Sequence, residues 1–208
     1  MMLREARRVQ VRGDILRVCE KMFRAWGFDR TSIDDIAAAA GISRQTFFNY
    51  FPGKDAVVAE LAVEWLQRQG ELPKLDGGAG KKSVLAGARA YVAMQARAIE
   101  ADRKFMALVI AHAGPFAAAG GIEARGRQAE LGRSIFTGVA DVLRAGQASG
   151  EVRADIDPER AAEVYVSAML MTVRLWLSGE GWKQESLEAR LNAVIDVLEG
   201  GLKAPRRR

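Results

Sequence analysis

The chain has 208 residues, with 31 Lys and Arg against 26 Asp and Glu, a formal charge of +5, and one Cys and one His. That length buries a proper core in one or two domains without covalent staples. The single Cys excludes an internal disulfide, a Cys/His zinc site cannot be assembled, and a Ser-His-Asp triad would have to use His112.

Read in chain order, the apolar residues follow helical periods. Ile15, Cys19, Met22, Phe23 and Trp26 form the stripe of a first amphipathic helix, stopped by Gly27. Ile33, Ile36, Ala37 and Ala40 mark a short second helix closed by Gly41. Ser32 and Asp35 stand where a capping box would form, with Asp in place of Glu. Asp34 and Asp35 also suit the positive end of that helix. Ser43 is a good N-cap for a third helix, which runs through Arg44 to Phe51 before Pro52-Gly53 breaks it. A fourth helix spans Lys54 to about Gln69.

Residues 70–82 read as a flexible linker with four Gly and one Pro. GGAGKKS within it is not a phosphate loop, because Leu75 stands where the first Gly is required and Lys82 where Ser or Thr must follow Lys81. Helices are expected from about Ser83 to Glu100 and from Arg103 to His112. A Gly- and Ala-rich break at 114–121 follows, then a long helix from about Ile122 to Ser149. Asp157 is the N-cap and Pro158 the first residue of the next helix. Residues 159–177 are apolar nearly all round, so that helix should be covered on more than one side. Leu187 to Leu202 form a last amphipathic helix. No window alternates with period two and no internal repeat occurs. The fold class is therefore all-α, with about nine helices.

Charge is unevenly spread. Residues 1–54 carry ten basic and six acidic side chains, residues 55–202 seventeen and twenty, and the last six residues four basic ones and no acid. A basic end suggests nucleic acid as the partner of that end, against the alternative of a solvated, frayed terminus. With no apolar leader and no run near the roughly 20 residues needed to span a bilayer, a cytoplasmic protein is expected. Arg4, Arg7, Arg8 and Arg12 could form a basic arm, and the Lys203–Arg208 run is read as a tail.

Two short helices joined through Gly41-Ile42 make a helix-turn-helix, whose second helix would enter a DNA major groove. That helix offers Arg44, Gln45, Thr46, Asn49 and Tyr50, followed by Lys54. Arg can pair bidentately with guanine and Gln or Asn with adenine, while hydroxyls and Lys suit phosphates. Phe47, Phe48, Tyr50 and Phe51 are too many aromatics for so short a helix to bury, so some must face a partner.

TSIDDIAAAAGISRQTFFNYFPGKDAVV, residues 31–58, resembles the helix-turn-helix of the TetR (tetracycline repressor) family of bacterial transcriptional regulators. The pattern appears as Ile36-Ala37, Ala40-Gly41-Ile42-Ser43, Thr46, Phe48, Tyr50-Phe51 and Lys54. GEVRADIDPERAAE, residues 150–163, is similar to the turn before the penultimate helix in many members. The resemblance implies an N-terminal DNA-binding domain, here 8–68, and a C-terminal ligand-binding and dimerisation domain, here 69–208. It places Arg44, Gln45 and Asn49 against bases and Ser32, Thr46, Tyr50 and Lys54 against phosphates. Gln45 stands where the family often has Gly, and Phe48 where it often has Tyr; Phe48 would instead pack or touch a thymine methyl. Phe47 and Phe51 are read as core beneath the recognition helix.

The implied partners are a double-stranded, near-palindromic operator, a second copy of the chain bound through the last two helices, and a small, largely apolar effector that releases the DNA. The helix from Lys54 would be the lever between domains. Candidate effector contacts are Met94, Phe105, Met106, Phe116, Phe136, Tyr165, Met169 and Trp176, soft or aromatic residues at helical spacing. Arg174 could meet an acidic group of the ligand or pair across the dimer. His112 is read as a capping or hydrogen-bonding residue, and Cys19 as buried and inert. No cofactor and no catalysis are expected, since no nucleophile–base pair, metal cluster or nucleotide loop is present. Two alternatives remain open: an architectural DNA-binding protein without ligand, and a small-molecule-binding domain with an appended DNA-binding module.

Overall fold

A computed structural model describes residues 2–69, 83–112, 122–179 and 185–202, with side chains from residue 5 onward except those of 122–129 and 131. The expected linker at 70–82, the break at 114–121, Phe116 and the Lys203–Arg208 tail lie outside the described residues. Those residues form nine α-helices and no β-strand: α1 (Met2–Trp26), α2 (Ile33–Ala39), α3 (Arg44–Tyr50), α4 (Lys54–Gln69), α5 (Val84–Ala101), α6 (Arg103–His112), α7 (Ile122–Ser149), α8 (Pro158–Ser178) and α9 (Leu187–Leu202). None of these helices is long and apolar enough to cross a membrane. The chain divides into two compact units, one of Met1–Arg68 with Lys104–Glu130, the other of Gln69–Arg103 with Leu131–Arg208.

In the first unit, α1 buries Ile15, Leu16, Cys19, Met22 and Phe23, the inner stripe of its helical period. Trp26, counted on the same stripe, is half exposed. It is the last residue of the helix, where the chain turns away at Gly27 (φ +86°). Burial pushes the Cys19 thiol up to about 12, with Lys54 opposing, so the residue stays a neutral thiol. Arg12, expected in a basic arm, is instead committed to the interior. Its guanidinium donates to the buried Glu60 of α4 at 2.6 Å and lies 4.8 Å from the Phe51 ring centroid. Burying a carboxylate demands such a partner. α6 contributes Phe105 and Met106 to this core, and Arg24 of α1 lies 4.4 Å over the Phe105 ring.

The second unit is held by α5 against α9 and α8 against α9. Polar rungs tie α5 to α9: Arg89 pairs with Asp196 at 2.8 Å and with the buried Glu199 at 3.1 Å, and Arg97 grips both oxygens of Glu188. Glu100 accepts the Leu187 amide at 2.5 Å, satisfying an orphan donor at the start of α9. The start of α5 is capped twice. Ser83 accepts from the Ala86 amide, and Glu151, from the α7–α8 turn, accepts from the amides of Val84 and Leu85 and from the Ser83 hydroxyl. Beside this turn Ala140, Leu143, Val152 and Ala162 form an apolar cluster. Gly146 is required there, because a Cβ would lie 2.5 Å from Cγ2 of Val152. Asp157 caps α8 by accepting from the amides of Glu159 and Arg160, with Pro158 in the first turn as expected.

Candidate nucleic-acid interface

The helix-turn-helix is built from local hydrogen bonds that its sequence announces. Ser32 Oγ accepts from the Asp35 amide at 3.0 Å, while the Asp35 carboxylate accepts from the Ser32 hydroxyl at 2.5 Å and the Ser32 amide at 3.2 Å. Those bonds from Ser32 hold the Asp35 carboxyl below its ordinary value. At the other end of α2, Gly41 takes φ +64°. The Ile42 amide then donates to the Ala37 carbonyl at 3.0 Å and the Gly41 amide to Ala38 at 3.2 Å. This is the Schellman closure, which needs a left-handed residue and so favours Gly. Ser43 starts α3 by accepting from the Thr46 amide at 3.0 Å.

α3 has two unlike sides. Phe47 and Phe51 are buried to 0% and 1% exposure, the core role expected of them. Arg44, Gln45, Phe48 and Asn49 are exposed, so the helix presents two amides, a guanidinium and a ring to the outside. Gln45 and Asn49 pair along the helix at 3.4 Å. Arg44 donates from Nη1 to the Asp34 carboxylate of α2 at 2.8 Å, and its Cζ lies 5.5 Å from the Phe48 ring centroid. Thr46 and Tyr50 are half-buried; with Ser43 they border a groove of about 500 Å³ whose other wall carries Arg7 and Arg8 of α1. A groove lined by three hydroxyl residues and two arginines suits an anionic, hydrogen-bond-accepting backbone.

Lys54, expected to hold a phosphate, is half-buried. Its ammonium donates to the carbonyls of Phe28 at 2.6 Å and Thr31 at 2.8 Å and sits 4.2 Å over the Phe28 ring. Two of its three N–H groups are thus spent on the α1–α2 turn. On the same ring His112, the last residue of α6, stacks at 3.7 Å and brings Nδ1 to 3.2 Å from Asp55. His112 is therefore the hydrogen-bonding helix-end residue expected. Phe28 and Asp34 were not legible as site neighbours. Their partners lie 26 and 10 residues along the chain, and no periodic pattern links them.

The candidate effector contacts among the described residues fall in both units. Phe105 and Met106 are core of the first unit, while Met94, Phe136, Tyr165, Met169 and Trp176 belong to the second. Met94 is exposed. Phe136 borders a cleft of about 300 Å³ with Ala140, Arg144, Glu159 and Glu163. Burial, followed by the charge of Glu199, pushes the Tyr165 phenol up to about 12. Trp176 donates its indole N–H to the Glu185 carbonyl at 2.9 Å and is covered by Arg103 at 4.4 Å. Arg174 is exposed.

All-helical among its described residues, with a capped, Gly-closed helix-turn-helix and a polar outer face on its second helix, the chain has the build of a DNA-binding transcriptional regulator. Residues 15–61 match the sequence profile of the bacterial regulatory proteins of the tetR family. It is 28% identical over 192 residues, 89% of this chain and 87% of the relative, to the Mycobacterium tuberculosis protein named as mycofactocin biosynthesis transcriptional regulator MftR. It is 27% identical over 194 residues, 92% of each chain, to the HTH-type transcriptional repressor Rv1474c of the same organism. Among solved structures it shares the fold of Thermus thermophilus FadR, a TetR-family repressor in complex with lauroyl-CoA. That likeness has a TM-score of 0.71 and 23% identity, covering 94% of this chain and 97% of the other.

Proposed function

We propose that the protein is a homodimeric repressor that binds a near-palindromic operator and leaves it when a small, largely apolar effector binds. The observation that carries the reading is the outer face of α3, where Arg44, Gln45, Phe48 and Asn49 project away from the buried Phe47. Arg44, Gln45 and Asn49 read base edges, Phe48 meets a thymine methyl, and Ser32, Thr46 and Tyr50 hold phosphates. Lys54 is reassigned from phosphate contact to anchor of the α1–α2 turn, on the strength of its two carbonyl partners. Residues 8–68 serve as the DNA-binding domain and 69–208 as the ligand-binding and dimerisation domain.

The dimer forms through α8 and α9. Val164, Met171 and Leu175 of α8 and Val197 of α9 are exposed, Val197 to 77%, which favours a covering partner over water. A twofold pair would set its recognition helices about one DNA turn, ~34–36 Å, apart. Two solved structures of this fold hold lauroyl-CoA and stearoyl-CoA, so acyl-CoA thioesters are the first effectors to titrate. Footprinting of the purified protein over the DNA upstream of its own gene tests the whole reading. One short palindromic site, cleared by an added acyl-CoA or other apolar compound, is the expected result. Broad coverage without a preferred site would make the protein architectural instead.

A further inference from the structure

Arg44 opens α3 and is clamped from two sides. Asp34, on the neighbouring α2, accepts from its Nη1 at 2.8 Å, and the Phe48 ring lies 5.5 Å from its Cζ. Both charged side chains are exposed, the arginine to 57% and the aspartate to 68%, so the pair lies open to an incoming ligand. An exposed ion pair of this kind contributes little to folding. A carboxylate on a surface that meets DNA also repels the phosphates of every sequence alike. The positive end of α2 accounts for an acid in its first turn, but not for the contact that this acid makes with Arg44.

Guanidinium geometry supplies a reason for that contact. Arginine carries five N–H donors in a planar fork, and reading guanine takes two of them, aimed together at O6 and N7. An untethered arginine on a short helix can swing to the nearest phosphate, where it adds affinity without sequence information. A carboxylate holding one N–H, with an aromatic ring near the guanidinium carbon, restrains the fork and leaves its other edge for a base. The same carboxylate makes a phosphate approach to Arg44 less favourable. We infer that Asp34 is a positioning residue for operator specificity: it buttresses Arg44 so that the arginine reads guanine rather than phosphate. The inference rests on the base-reading role of Arg44 proposed above.

The test selects binding sites for the full-length protein from a pool of duplex DNA with a randomised interior, for the wild type and for Asp34→Ala, Asp34→Glu and Arg44→Ala. Wild type is expected to select a guanine at symmetry-related positions that Arg44→Ala no longer requires. Asp34→Ala should keep binding but lose guanine preference at those same positions by about tenfold or more, the range one bidentate base contact supplies. Its salt dependence should steepen by about one phosphate contact as the arginine turns to the backbone. Asp34→Glu should restore most of the preference, and the melting temperature should stay near that of wild type throughout. If Asp34→Ala selects the same guanine with undiminished preference while Arg44→Ala loses it, the buttress is overturned and the reading role of Arg44 stands. If Arg44→Ala itself changes neither the selected sequence nor its affinity, the reading role fails and the buttress with it.

Discussion

Helices α3 and α8 each leave one side outside the core of their unit, and the two sides differ in chemistry. The outer face of α3 carries Arg44, Gln45 and Asn49 around a single ring, Phe48. That of α8 carries Val164, Met171 and Leu175, with Val197 exposed on α9. Side-chain amides and a guanidinium lose little by facing water and exchange those hydrogen bonds for bonds to base edges or phosphates. Aliphatic groups gain nothing from water and are stabilised only by a surface that excludes it. The first face suits a hydrated, salt-sensitive and releasable partner; the second suits a lasting one, such as another copy of the chain.

The comparison fails first if α3 is not held rigidly by its inner side. Phe47→Ala should destabilise the protein by about 3–5 kcal/mol, a cavity under the recognition helix, seen as a large drop in thermal midpoint. On α8 and α9, Met171→Glu combined with Val197→Glu would bury two charges from each chain in the dimer at a cost of about several kcal/mol each, on the order expected for unpaired ions. Light scattering at micromolar concentration should then report a monomer; a persistent dimer would place the interface elsewhere.

Arg44→Ala is expected to cost ~1–3 kcal/mol of operator affinity and to relax the preferred sequence, with folding unaltered. Lys54→Ala sharpens the boundary between reading face and scaffold. It should lower stability by about 1–3 kcal/mol through the lost charged hydrogen bonds to Phe28 and Thr31, and leave the salt slope of DNA binding unchanged. The reverse pattern, a steady melting temperature with a shallower salt slope, would return Lys54 to the phosphates.

The smallest effect belongs to Glu151, which touches neither face. Burial works to raise its carboxyl, but hydrogen bonds from Ser83, the Val84 and Leu85 amides and Ser149 outweigh that and hold it below the ordinary 4.5. A lowered folded value means its contribution is complete above pH 4.5 and is lost as pH falls through the lower folded value. Melting temperatures followed down through that range should drop less steeply in Glu151→Gln than in wild type.

Much of the fold was written in the order of residues. Ser32 with Asp35, Ser43 with Thr46, and Asp157 with Glu159 and Arg160 are partners two or three positions apart, so the helix starts could be named from neighbours alone. Gly41 announced the turn because its backbone must enter the left-handed region. Phe47 and Phe51 followed from the crowding of aromatics on one short helix. Only the tertiary structure decided where the long charged side chains went. Arg12 reached Glu60, 48 residues away, and Lys54 reached Phe28, 26 residues away, although both were equally able to reach an anion outside. Trp26 left its stripe, and Phe105 and Met106 became core of the first unit. Caps and periods are set by bonds within a few residues of backbone. The partner of a flexible arginine or lysine is set by whichever carbonyl or carboxylate the finished packing brings within its reach.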